Sequence, residues 1–125
     1  KIPSSSALFD GTAPTIVFTA AVRTDGLPNA TVKQIVIDFT KDTNQQILNH
    51  LYEQGIYSLL VEGGARLLSS FIEKNRWDEA FVETSQKKLF TGVKAPDIQG
   101  EIISTRKYLD ATQFHLKSQT TRNIL

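Results

Sequence analysis

The feature that most constrains this chain is the run IYSLLV at residues 56–61, followed by Glu62, the pair Gly63-Gly64 and an amphipathic segment. A nearly continuous apolar run of that length suits a strand covered on both faces, the usual situation in parallel sheets. Behind the glycines, Leu67, Leu68, Phe71 and Ile72 are spaced to form one buried stripe of a helix. Strand, tight turn and helix in that order predict a βαβ unit, whose right-handed crossover returns the chain to the same sheet.

The flanking segments fit the same pattern. Residues 1–12 read as loop, broken by Pro3, a serine run and Gly11. The β-branched stretch TIVFT at 15–19 predicts a strand, Gly26 and Pro28 mark a turn, and a second strand is expected at 32–38. Thr43-Asn44-Gln45-Gln46 has the form of a capping box, which predicts a helix over about 44–54 with Ile47, Leu48 and Leu51 on its apolar face. Gly55 is suited to the left-handed position that ends such a helix. AFVET at 80–84 predicts another strand, and 101–105 with 114–117 a closing antiparallel pair; the tail at 118–125 carries no strong signal. The expected class is therefore α/β, with two successive βαβ units in a mostly parallel sheet flanked by helices and with antiparallel C-terminal strands. Leu67, Leu68, Phe71, Trp77 and Phe81 are expected in the core.

Composition narrows the function. A chain of 125 residues is one domain's worth and buries about two-thirds of its extended surface on folding. Lys and Arg total 14 against 13 Asp plus Glu, so a net charge of +1 supplies no general field for nucleic acid or anionic membrane. Cysteine is absent, which removes disulfides, thiolate zinc sites and cysteine nucleophiles from this chain. Methionine is absent too and the bulky Lys1 comes first, so we expect a piece of a longer polypeptide. No signal-peptide pattern opens the chain and no apolar stretch is long enough to cross a bilayer, which makes a cytoplasmic protein the expectation. Asn29-Ala30-Thr31 matches a glycosylation acceptor, a pattern too short to carry weight without a secretory context.

Candidate chemistry centres on residues 61–68. Amides at a helix N-terminus carry partial positive charge, so a strand-to-helix junction with glycines can receive a phosphate against its backbone. The spacing matches neither G-x-G-x-x-G nor the Walker pattern, and on spacing alone a plain tight turn weighs slightly more. Glu62, at the carboxyl end of the expected strand, would face the crevice where open α/β sheets bind ligands, or would stand as a rim carboxylate. Arg66 in the first helical turn is a cation at the unfavourable end of the helix dipole, a conflict an anionic ligand relieves. His50 and His115 have no metal-ligand spacing, so no metal site is expected. Asp78-Glu79 marks the start of a strand, although paired acids can do acid/base work. No serine or histidine arrangement suggests a nucleophile, and the catalytic residues stay unknown.

The run LLVEGGARLLSSFIEKNRWDEAFVE resembles the reductase domain of the bifunctional riboflavin-biosynthesis deaminase/reductases, in which V-E-G-G, a helix and a D-E pair before the next strand follow in that order. IPSSSALFDGTAPTIVFTA upstream and LFTGVKAPDIQG downstream extend the resemblance over residues 1 to about 100. It implies a dihydrofolate-reductase-like fold, with residues 1–125 forming the C-terminal portion of the reductase domain. The deaminase domain and its zinc signature, H-x-E and P-C-x-x-C, lie outside this chain, as do the opening strands of the reductase domain and the basic residues expected to hold the substrate phosphate.

The cofactor implied is NADPH. By resemblance Glu62 contacts substrate, while Gly63, Gly64, Ala65, Arg66, Leu67, Leu68, Ser69 and Ser70 line the cofactor, with Thr19 a further contact. The reaction implied is reduction of 5-amino-6-(5-phosphoribosylamino)uracil to its ribitylamino product in riboflavin biosynthesis, by hydride delivery to C1′ of a ring-opened imine. The partners implied are that phosphoribosylaminopyrimidine and a second subunit of a homodimer. Two other readings stay open: a nucleotide-binding or dimerisation module without turnover, and a dihydrofolate reductase, which usually has an apolar residue before its glycine-rich run where Glu62 stands.

Overall fold

The computed structural model describes residues 2–22, 29–88 and 90–119. The chain divides into two compact units, Lys1–Leu59 and Leu60–Leu125.

In the first unit a short 3-10 turn at Ala7–Phe9 precedes strand β1, Thr15–Thr19. β1 runs parallel to β2, Val32–Val36, with Phe18 opposite Ile35 in register. The expected turn at Gly26 and Pro28 lies outside the described residues. Helix α1, Thr43–Glu53, follows, and Phe9, Val32, Ile37 and Leu51 form the buried apolar core of this unit. His50 meets the ring of Phe18 edge-on, with centroids 5.8 Å apart.

Both ends of α1 are closed by the chain itself. At the start the cap is Asp42, one residue before the expected Thr43: its carboxylate accepts from the Gln45 amide at 3.1 Å. Gln46 does not reach back to the amide of the cap residue as a capping box requires. Its side-chain oxygen accepts from the Asp38 amide at 2.9 Å and its nitrogen donates to the Asp38 carbonyl at 2.8 Å, tying the helix to the end of β2. Gly55, at φ +77°, ends the helix as expected: the Ile56 amide donates to the Leu51 carbonyl and the Gly55 amide to the Tyr52 carbonyl, both at 2.9 Å. That pair of bonds satisfies the last carbonyls of the helix.

The run at 56–61 forms no strand among the described residues, and Ile56, Tyr57, Leu59 and Leu60 are exposed. A strand is a paired structure, and its apolar side chains are buried only when neighbours hydrogen-bond beside it. Among the described residues no such neighbour stands next to this run, so the two βαβ units that would have shared it are not completed there, although the α/β class holds.

The second unit begins with residues 60–64 and helix α2, Ala65–Ile72. Asn75, in the left-handed region at φ 50°, closes α2: the Arg76 amide donates to the Phe71 carbonyl at 2.9 Å and the Asn75 amide to the Ile72 carbonyl at 3.0 Å. Three strands follow: β3 at Glu79–Ser85, β4 at Glu101–Tyr108 and β5 at Ala111–Lys117. They form an antiparallel sheet of order β3-β5-β4. The expected antiparallel closing pair is thus present and larger than predicted, because β3 joins it.

Phe71 and Leu116 are the buried apolar residues of this unit. Gly100 lets the loop before β4 pass close to the sheet, since a Cβ there would stand 2.7 Å from the Lys117 carbonyl oxygen and 2.8 Å from the Trp77 ring. Leu67 and Phe81, expected in the core, are instead 39% and 61% exposed. On β3 the half-buried residues are Ala80 and Val82, so strand alternation turns Phe81 to the opposite face. There it stacks on His115, its partner in register, with ring centroids 4.3 Å apart.

Candidate functional site

Residues 61–64 lead without regular structure into α2, whose N-cap is Gly64. Gly64 has φ −66° and ψ 161°, an extended conformation open to any residue, and apart from its own chain neighbours nothing lies within 4 Å of where its Cβ would be. Neither backbone conformation nor crowding therefore demands glycine there. No side chain caps the helix, and its first turn holds no acidic residue. The amides of Leu67 and Leu68 donate to the Gly64 carbonyl at 3.0 and 3.3 Å, which leaves those of Ala65 and Arg66 at the mouth of the turn. Such amides, with the dipole behind them, form the anion-receptive end of a helix.

Four of the expected residues come together. Gly64, Ala65, Arg66 and Leu67 line an open concavity of about 470 Å³. Arg66 is exposed, as are Glu62 and Gly63 just before the helix. Leu68, Ser69 and Ser70 are half-buried farther along the helix, and the Ser70 hydroxyl donates to the Leu67 carbonyl at 2.6 Å. Thr19 belongs to the first unit, at the end of β1, where its hydroxyl donates to the Ala21 carbonyl at 2.9 Å.

One lining residue was missed. Val93 completes the wall of the concavity although it is 87% exposed. It follows Gly92, whose φ of 147° suits glycine. The glycine and proline of this segment were visible in the sequence, but nothing in local spacing places Val93 beside residues 64–67.

The histidines take structural partners. His115 Nε2 stands 2.9 Å from a carboxylate oxygen of Glu79, across the β3–β5 pair. Among the described residues no group of three or more His, Cys, Asp and Glu is gathered to hold a metal. Asp78 and Glu79 stand at the start of β3, as expected.

Two aspartates, the exposed Asp10 and the half-buried Asp38 of the D-x-T segments at 10–12 and 38–40, hold lowered carboxyl pKa values. The Asp10 carboxylate accepts from the Thr12 amide at 2.9 Å and its hydroxyl at 2.8 Å, and these bonds favour its charged form. Asp38 accepts from the Thr40 hydroxyl at 2.6 Å and amide at 2.9 Å, with Lys41 Nζ 3.4 Å away, to the same effect.

Comparison with known proteins decides the family. Residues 1–87 match the model of the RibD C-terminal domain. The chain belongs to that family. It is 33% identical over 116 residues to the riboflavin biosynthesis protein RibD of Bacillus amyloliquefaciens, which covers 89% of this chain and 31% of that protein.

Solved structures share its fold, two of them at a TM-score above 0.7. One is the diaminohydroxyphosphoribosylaminopyrimidine deaminase/5-amino-6-(5-phosphoribosylamino)uracil reductase of Thermotoga maritima, at 23% identity and TM-score 0.72 over 88% of this chain and 32% of that one. The other is RibD of Acinetobacter baumannii, at 20% identity and TM-score 0.74 over 94% of this chain and 34% of that one. The chain thus spans about a third of the length of these RibD relatives. Among the described residues no helix is long and apolar enough to cross a membrane.

Proposed function

We propose that this chain is part of the NADPH-dependent reductase of riboflavin biosynthesis, the activity that reduces 5-amino-6-(5-phosphoribosylamino)uracil to the ribitylamino product. The observation that carries the reading is Gly64: a glycine at an uncapped helix start, with open space where its Cβ would be and no conformational need for glycine. A glycine that no structural reason demands fits a place where a ligand lies against the backbone. RibD family membership makes a nucleotide cofactor the fitting ligand.

On this reading the free amides at the start of α2 and the Arg66 guanidinium hold cofactor phosphate, while Gly63, Ala65 and Leu67 shape the surface beside it. Leu68, Ser69 and Ser70 fix the helix that presents this surface. Glu62 orients the amino and hydroxyl groups of the substrate. NADPH, when bound, supplies the hydride that reduces C1′ of the ring-opened imine, so the chain contributes position and electrostatics rather than a covalent nucleophile. The protein works in the cytoplasm.

Titration of the 125-residue chain with NADPH, followed by a reductase assay on the phosphoribosylaminouracil, tests the reading. We expect saturable binding and, in the whole enzyme, loss of reduction in Glu62→Gln with NADPH affinity kept. Unchanged turnover in Glu62→Gln removes Glu62 from the site. Binding without turnover by the 125-residue chain assigns it to a nucleotide-binding module, and folate-type reduction would move it to the dihydrofolate reductases.

A further inference from the structure

The concavity at the start of α2 has two kinds of lining. Arg66 gives it a cation, while Leu67 and Val93 give it apolar surface. Along α2 the apolar stripe is covered at Leu68, Phe71 and Ile72, which are buried or half-buried, but its first member, Leu67, is exposed. The Leu67 side chain lies back toward residue 63: a Cβ on Gly63 would stand 3.0 Å from Leu67 Cδ2, tighter than ordinary contact. Gly63 thus leaves Leu67 room to keep its place. Val93 reaches the same concavity from the loop between β3 and β4, directly after Gly92, whose φ of 147° suits glycine.

A single exposed valine needs no explanation. Here, however, Val93 shares one concavity with an exposed leucine and a guanidinium group, so the surface offers an apolar part and an anion-receptive part side by side. A nucleotide joins the same two parts in one molecule. Its phosphates require charge or hydrogen bonds and lose both against valine and leucine. The flat faces of its heterocycles are its large apolar surfaces and gain by leaving water. The volume, about 470 Å³, falls within the range of about 300–1,000 Å³ usual for small-molecule sites.

We propose that Val93 is a positioning residue for the cofactor: with Leu67 it packs against the face of one heterocycle of NADPH and so sets where that ring lies relative to the phosphates held at α2. The inference rests on the nucleotide reading of this site given above. Isothermal titration of the 125-residue chain with NADPH tests it. We expect Val93→Ala to weaken binding about fivefold, the effect of two methyl groups partly buried at an open wall. Val93→Ile, which keeps the apolar surface, should stay within about twofold of the parent.

Two further readouts separate positioning from a structural or electrostatic role. Thermal melting of Val93→Ala should match the parent's, since the side chain is exposed in the free chain. The salt dependence of NADPH affinity, which reports the phosphate contacts, should also be unchanged. Titration with adenosine 2′,5′-bisphosphate, which carries adenine without nicotinamide, tells the two rings apart: its affinity falls in Val93→Ala if adenine lies on Val93 and holds if nicotinamide does. Parent-like NADPH affinity in Val93→Ala, a lowered melting temperature or an altered salt dependence overturns the inference and leaves the nucleotide reading standing. A parent chain that does not bind NADPH overturns both.

Discussion

The two helices begin in opposite ways. α1 starts behind Asp42, whose carboxylate accepts from the Gln45 amide, and is tied to Asp38 by both ends of the Gln46 amide. α2 starts behind Gly64, with no side-chain cap and with Arg66 in its first turn. Unsatisfied amides and a cation at the positive end of a helix both cost stability unless something negative meets them. In α1 the chain provides that group itself. In α2 it does not, and that is where the concavity and the V-E-G-G segment of this chain coincide. On the proposed function, the difference separates an end built for stability from an end left for a ligand.

The sharpest way to break this contrast is to close the open end. Gly64→Asp supplies a capping carboxylate and places a negative charge where phosphate would sit. We expect NADPH affinity to fall at least tenfold, about 1.4 kcal/mol. Stability should hold or rise by a few tenths of a kcal/mol, since Asp caps slightly better than Gly. Isothermal titration and thermal melting on the same sample read the two changes. Movement in opposite directions supports the contrast, and a fall in both makes the start of α2 a structural turn.

The reverse operation opens the closed end. Asp42→Ala removes the cap of α1 and should cost about 1 kcal/mol of unfolding free energy, measured by urea denaturation, with NADPH affinity unchanged. A loss of cofactor affinity in Asp42→Ala would show that both helix starts serve the ligand.

How much of this was legible in the sequence depends on how local each feature is. β1, α1 and its Gly55 ending follow from residue types within a few positions, and each lies where expected. The cap of α1 was misplaced by one residue because Asp42 and Thr43 are both good capping residues and only geometry shows which oxygen reaches an amide. The antiparallel pairing of β3 with β5 and the exposed run at 56–61 were not legible, since pairing depends on which strands stand beside one another. Phe81 failed for a related reason: a short apolar strand does not announce which of its two faces is inward. Glu62 and residues 63–67 could be singled out because a strand-like run, two glycines and an amphipathic stripe adjoin. Val93 could not, because it meets that site from a loop more than twenty residues away.

The smallest effect concerns acid stability in the first unit, and it sharpens the contrast between groups satisfied by the chain and groups left open. Asp10 and Asp38 are held charged by their Thr12 and Thr40 partners, so their folded pKa values lie below the ordinary aspartate value of about 3.9. A lowered folded pKa means the unfolded chain takes up the proton first. The stabilisation is therefore complete above that ordinary value and is lost as pH falls through the lowered one. Thermal melting between about pH 5 and pH 2 should show an acid-side decline that is shallower in Asp10→Asn with Asp38→Asn than in the parent chain. Asp10 is exposed and the Asp38 side chain is 41% exposed, so the change should be smaller than that of Asp42→Ala. An identical decline in the two proteins would mean that these turns are equally formed in the unfolded chain, because linkage responds only to a difference between the folded and unfolded states.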